Sequence, residues 1–119
     1  MTVTIDAALI EQITRTIVER FQPRRIVLFG SRARGDHQPD SDLDLFVEME
    51  TSRTLPERAT AIRTVFGLHP WPMDLIVYTP EEVARLRGRT GTFLATIERE
   101  GKVLYERTGD GLQSVGGEG

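Results

Sequence analysis

Leu28-Phe29-Gly30-Ser31-Arg32-Ala33-Arg34-Gly35 and, after a polar turn, Asp42-Leu43-Asp44-Leu45-Phe46-Val47 are the stretches whose reading decides the fold. The second reads as a strand, and successive side chains of a strand point to opposite faces. Asp42 and Asp44 therefore share one face, while Leu43, Leu45 and Val47 occupy the other. Neighbouring carboxylates repel and cost stability unless something positive lies between them. Folding supplies no reason for that pair; a bound divalent cation does. The first stretch is a short apolar strand that stops at Gly30 and enters a helical turn at Ser31. Such a turn leaves backbone N–H groups unpaired at the positive end of the helix dipole, which attracts phosphate. Gly30 lets the backbone approach an anion closely, Ser31 adds a hydroxyl, and Arg32 and Arg34 add positive charge. A plain tight turn before a solvated arginine-rich helix fits this stretch equally well when it is taken alone.

Outward from these stretches, helix and strand alternate. Ile5, Leu9, Ile13, Ile17 and Phe21, joined by Ile10 and Val18, recur at helical spacing and predict an amphipathic helix over 5–21, stopped by Pro23. Strands are expected over 25–29, 42–49, 73–78 and 103–106, with a polar turn over 36–41. A helix over 55–66 places Leu55, Ala59, Ile62 and Phe66 on its inner side. Thr79-Pro80-Glu81-Glu82 is a helix start with Thr79 as N-cap and Glu82 closing a capping box, and that helix ends near Gly88. A last helix is expected from about 92 to 100, stopped by Gly101. Residues 108–119 hold five glycines and little apolar content, so a disordered tail is expected there. The fold class is α+β: a small mixed sheet with helices packed on it, in one domain spanning 1–107.

Composition narrows the function classes. The 119 residues can bury a core without metals or disulfides, and there is no cysteine for a thiolate zinc site. Absence of cysteine, of a signal-like N-terminus and of any bilayer-length apolar run leads us to expect a cytoplasmic protein, with no membrane association. The net charge of −3 argues against gripping long nucleic acid. Positive charge is almost all arginine, Lys102 being the sole lysine.

Several familiar motifs fail on inspection. Gly30 and Gly35 have Walker A spacing, but its Lys and Ser/Thr positions hold Asp36 and His37. The dinucleotide fingerprint needs glycine where Arg32 stands. Asp40, Asp42 and Asp44 alternate as an EF-hand loop begins, yet its sixth position is Leu45 and its twelfth Thr51. A paired-carboxylate glycosidase would need an aromatic-lined cleft that this chain is too poor in aromatics to build. What remains joins the two stretches. Asp42 and Asp44 suit two Mg²⁺ ions whose remaining ligands come from a nucleotide's phosphates. A third carboxylate on a neighbouring strand would hold the second ion and activate an attacking hydroxyl. Asp74, inside Met73-Asp74-Leu75-Ile76-Val77, fits that part better than it fits a structural aspartate paired to an arginine.

Gly30-Ser31, ten residues, Asp42-Leu43-Asp44 and then a lone Asp74 on an apolar strand resemble the minimal nucleotidyltransferases of the DNA polymerase β superfamily. The likeness extends to residues 31–35 and Ser41 and covers roughly residues 5–106. It implies the polymerase β-like nucleotidyltransferase fold and transfer of AMP from ATP to a hydroxyl, with release of pyrophosphate. Small stand-alone members are commonly the antitoxin of a toxin–antitoxin pair, and their partner is a helical HEPN-domain ribonuclease modified on a tyrosine. By this resemblance Gly30 and Ser31 hold the β and γ phosphates, Asp42 and Asp44 bind both metal ions, and Asp74 binds metal and helps activate the nucleophile. Of Arg32 and Arg34, one neutralises phosphate charge while the other packs against acidic residues. Two alternatives stand beside it: an antitoxin that acts by binding alone, and a small-molecule transferase of the aminoglycoside type.

Other residues receive ordinary readings. His37 and His69 are expected at the surface, and Trp71 over the edge of the core. Tyr78 and Tyr105 are expected as half-buried packing at strand ends. Phe93, Leu94 and Ile97 are expected as core.

Overall fold

The computed structural model describes residues 4–68, 71–107 and 113–115. Helix α1 runs Ala7–Phe21, later than its apolar pattern, because the Asp6 carboxylate accepts from the Leu9 amide and caps the first turn. Ile5 lies outside the helix but stays in the core. Strand β1 is Arg25–Phe29 and the short helix α2 is Ser31–Arg34. Strand β2 is Leu43–Glu48, helix α3 Leu55–Phe66 and strand β3 Met73–Tyr78. Helices α4, Pro80–Leu86, and α5, Phe93–Glu100, precede strand β4, Lys102–Arg107, and strand β5, Gln113–Val115. Both expected caps of α4 form: Thr79 Oγ1 accepts from the Glu82 amide, and Glu82 accepts from the Thr79 amide.

The strands form one mixed sheet in the order β3-β2-β1-β4-β5. Only β2 and β3 run parallel, and a parallel pair needs a long crossover, here supplied by α3. The other pairs are antiparallel, and β4 carries an extra residue where Ile26 opposes Tyr105 but Val27 opposes Val103. Period-two alternation divides the central strands cleanly. Ile26, Leu28, Leu43, Leu45 and Val47 pack with α1 and α3 through Ile13, Ile17 and Ile62. Val27 and Phe46 pack with α4 and α5 through Val83, Leu94 and Ile97. Helices thus cover both faces, which explains why β2 is apolar almost throughout.

Three expectations are corrected. Residues Gln113–Val115, inside the segment expected to be disordered, pair with β4 from Tyr105 to Arg107; an edge strand needs only backbone partners, so poor apolar content does not forbid it. The rest of 108–119 lies outside the described residues, as does His69. Tyr105 is fully buried rather than half-buried, because the bulge in β4 turns it into the core beside Ile26. Phe93, expected in the core with Leu94 and Ile97, is 51% exposed, since it is the first residue of α5 and overhangs the sheet. His37 is exposed and Trp71 packs on the core against Phe66, as expected.

Candidate active site

The two strands carrying acids are joined in register: Asp44 pairs with Asp74 across the parallel β2–β3 ladder. Paired residues lie at one level on one face, so the two carboxylates meet although they are thirty positions apart in the chain. Asp42 lies one residue before β2, with the same parity as Asp44. Carboxylate oxygens of Asp42, Asp44 and Asp74 all lie within 4.8 Å of one another. Asp42 and Asp74 are exposed and Asp44 is half-buried, so the cluster opens to solvent while one acid is set into the sheet.

Glycine at position 30 is required by this arrangement. Its φ of +77° disfavours any side chain, and a Cβ there would stand 2.1 Å from Asp44 Oδ2. The Gly-Ser turn and the acid cluster therefore touch, which their spacing in the sequence suggested and the antiparallel pairing of Phe29 with Asp44 produces. The Gly30 carbonyl accepts from the amides of Ala33 and Arg34, and Ser31 follows it at the cluster's edge, half-buried.

The electrostatics carry the mark of crowded anions. Burial, then the charges of Asp74 and Asp42 and a hydrogen bond with Asp74, push the Asp44 carboxyl up to about 6, against a smaller opposing effect of Arg34. Three hard oxygen donors in a half-open cluster, one of them reluctant to ionise unaided, fit a Mg²⁺-type cation.

The two arginines of α2 separate. Arg34 is exposed, pairs with Asp36 at 3.2 Å and more distantly with Glu100, and is near enough to Asp44 to favour its charged form. Arg32, expected beside it among the phosphate-binding residues, is buried and turned away. Its guanidinium donates to the carbonyls of Ile5, Pro39 and Ser41. Residues two apart in a helical turn diverge by about 200°, so one side chain of the pair faces the cluster and the other the protein. Arg32 thereby ties the 36–41 turn, which leads into Asp42, to the chain before α1. Ser41 adds to the same turn through its hydroxyl, which accepts from the Gln38 amide.

Two supporting arginines were not visible in the sequence. Arg58 on α3 is buried, donates to Glu82 from both terminal nitrogens and reaches the Val77 and Arg53 carbonyls. It thus fixes α3 and α4 to the end of β3. Arg25 pairs with Glu48 across the β1–β2 ladder and lies over the Phe46 ring. Only a charged residue at a strand position with apolar neighbours hinted at this.

The sequence profile of the nucleotidyltransferase domain matches residues 10–105. The chain belongs to that family. As a nucleotidyltransferase domain, it is a transferase that takes a nucleotide substrate and uses a divalent metal, for which the acid cluster is suited. Among solved structures, this nucleotidyltransferase domain is similar to a candidate nucleotidyltransferase from Sulfolobus solfataricus solved at 1.40 Å. The two share 20% identity with a TM-score of 0.59 over 85% of this chain and 80% of the other, which is a likeness of fold. No curated protein matches the chain by sequence. Among the described residues, no helix of the nucleotidyltransferase domain is long and apolar enough to cross a membrane.

Proposed function

We propose that this chain is the antitoxin of a toxin–antitoxin pair, transferring AMP from ATP to a tyrosine hydroxyl of a helical HEPN-domain ribonuclease and so silencing it. The observation that carries the transferase chemistry is the in-register meeting of Asp44 and Asp74, with Asp42 beside them, at the turn made by Gly30 and Ser31. Asp42, Asp44 and Asp74 are the residues that would hold magnesium, two ions in this reading, with Asp42 and Asp44 shared between them. Magnesium there would neutralise the triphosphate and draw charge from the α phosphorus.

The chain's own groups then have distinct parts. Gly30 and Ser31 seat the β and γ phosphates, and Arg34, exposed at the same edge, neutralises them. Asp74, exposed on the edge strand, accepts the proton of the incoming tyrosine hydroxyl. The tyrosine oxygen bonds to the α phosphorus, the bond from that phosphorus to the bridging oxygen breaks, and pyrophosphate leaves. Arg32 has no phosphate contact in this scheme; it holds the turn that delivers Asp42.

The test is transfer of radiolabelled AMP to the co-expressed toxin in the presence of Mg²⁺. The double variant Asp42→Asn, Asp44→Asn is expected to lose at least ~100-fold in labelling, in line with loss of charge stabilisation at the reacting phosphate. Unchanged labelling overturns the reading. Full neutralisation of the toxin by the double variant, with labelling abolished, would instead favour an antitoxin that acts by binding.

A further inference from the structure

Among the described residues, the large apolar side chains left exposed are Leu55, Leu68, Phe93 and Val103, and Phe93 is the one aromatic among them. Its place is specific. The Phe93 ring meets Phe29 edge-to-face, centroids 5.6 Å apart at 88°, and Phe29 is the cross-strand partner of Asp44. On the sheet face that bears the acids, the order is therefore Asp74 on β3, Asp44 on β2 with Asp42 just before that strand, Phe29 on β1 with Gly30 just after it, and Phe93 on α5 beyond them.

From this order we infer that Phe93, braced by Phe29, is the platform on which the nucleobase of the substrate stacks. The inference rests on the transferase reading above and adds the base-binding residue that reading lacks. A nucleotide held by its phosphates at Gly30 and by cations at Asp42 and Asp44 has two directions in which to extend. The β3 side belongs to the acceptor, whose hydroxyl Asp74 receives. The β1 side leads over Phe29 to an open phenyl ring, with no charged group of α5 at that end of the helix. Glu98 and Glu100 lie toward its other end and are engaged by Arg25, Arg87 and Arg34. A phenyl ring stacks on any nucleobase without reading its edge, which fits a site that gives affinity rather than base discrimination. Phe29 restrains the Phe93 ring beforehand and so lowers the ordering cost of stacking.

The experiment compares two ligands by calorimetry with Mg²⁺ present: the non-hydrolysable α,β-methylene analogue of ATP, and inorganic tripolyphosphate, which has no base. Wild type is expected to bind both. Phe93→Ala, at an exposed position, should leave tripolyphosphate binding unchanged and weaken the nucleotide analogue about 5- to 150-fold, the range for loss of one stacked base. Phe93→Trp should bind the analogue at least as tightly as wild type. Analogue affinity within twofold of wild type in Phe93→Ala overturns the inference alone, as does an equal loss for both ligands. Reduced AMP transfer with unaltered analogue binding also overturns it, and assigns Phe93 to the acceptor. Wild type binding neither ligand overturns the transferase reading together with this one.

Discussion

Raising the pH from 5 to 7.5 strips a proton from Asp44 that an ordinary aspartate would already have lost. Its carboxyl titrates near 6 in the folded chain, against about 3.9 when unfolded, so between those values the folded state holds more protons. Stability therefore falls as pH rises through about 4 to 6, and above 6 the full penalty is present. Shielded completely from water, a carboxyl displaced this far would cost ~3 kcal/mol. Asp44 is only half-buried and its cluster opens to solvent, which reduces the cost to about 1–2 kcal/mol. In metal-free buffer at pH 7.5, Asp44→Asn should melt about 4–8 °C above wild type, and this gap should close near pH 4.5. Addition of 10 mM Mg²⁺ at pH 7.5 should raise the melting temperature of wild type but not of the variant. Calorimetry across pH, with and without EDTA, checks all of this; a pH-independent gap would mean that the acid cluster carries no strain. Glu82 and Glu98 titrate below the ordinary range because arginines hold them, and they act in the opposite sense at lower pH, so the difference between variant and wild type is the quantity to read.

Between elements, fit is set by backbone approach at the α5–β4 junction. A Cβ at Gly101 would lie 2.4 Å from the buried Val27 Cγ1 and 2.5 Å from the Ile97 carbonyl, and that carbonyl cannot give way without unwinding the end of α5. Gly101→Ala should cost about 1–3 kcal/mol, read as a lowered denaturant midpoint with unchanged slope. The positions of β1, α2, β3 and the start of α4 were legible in the sequence because each abuts a stop or cap, Pro23, Gly30, Gly35 and the Thr79-Pro80-Glu82 box, and that of α3 because Leu55, Ala59, Ile62 and Phe66 recur at helical spacing. Asp42, Asp44 and their link to Ser31 were legible for a different reason, that paired carboxylates on an apolar strand have no folding rationale. What stayed hidden depends on which way a side chain leaves a short helix. Arg32 and Arg34 look alike in sequence, yet one braces a turn and the other faces the acids. Phe93 sits beside two true core residues and differs from them only in lying at the first position of α5. Strand β5 was hidden because pairing with β4 asks for backbone groups alone.

Across the whole molecule, the site is assembled by sheet pairing rather than by any one loop. Asp74 reaches Asp44 through the register of β2 with β3, while the chain between them runs out through α3 and back. A shift of one residue in that register would turn Leu75 and Val77 toward the wrong face, so burial of the core fixes the distance between the acids. Two glycines inserted between Gly67 and Leu68, both exposed just after α3, should therefore leave nucleotidyl transfer within about threefold of wild type. The melting temperature should fall only slightly, since lengthening a loop costs little. Loss of transfer with intact melting would show that the connection itself shapes the site.

The parallel pairing also divides this chain into what must stay fixed and what is free to vary. Since the register of β2 with β3 brings Asp74 to Asp44, the chain between the two strands is free to change in length, provided that α3 still covers its face of the sheet and Arg58 still ties it to the end of β3. New recognition surface can be grafted there, beside the edge strand β3, while the strands that carry the acids stay as they are.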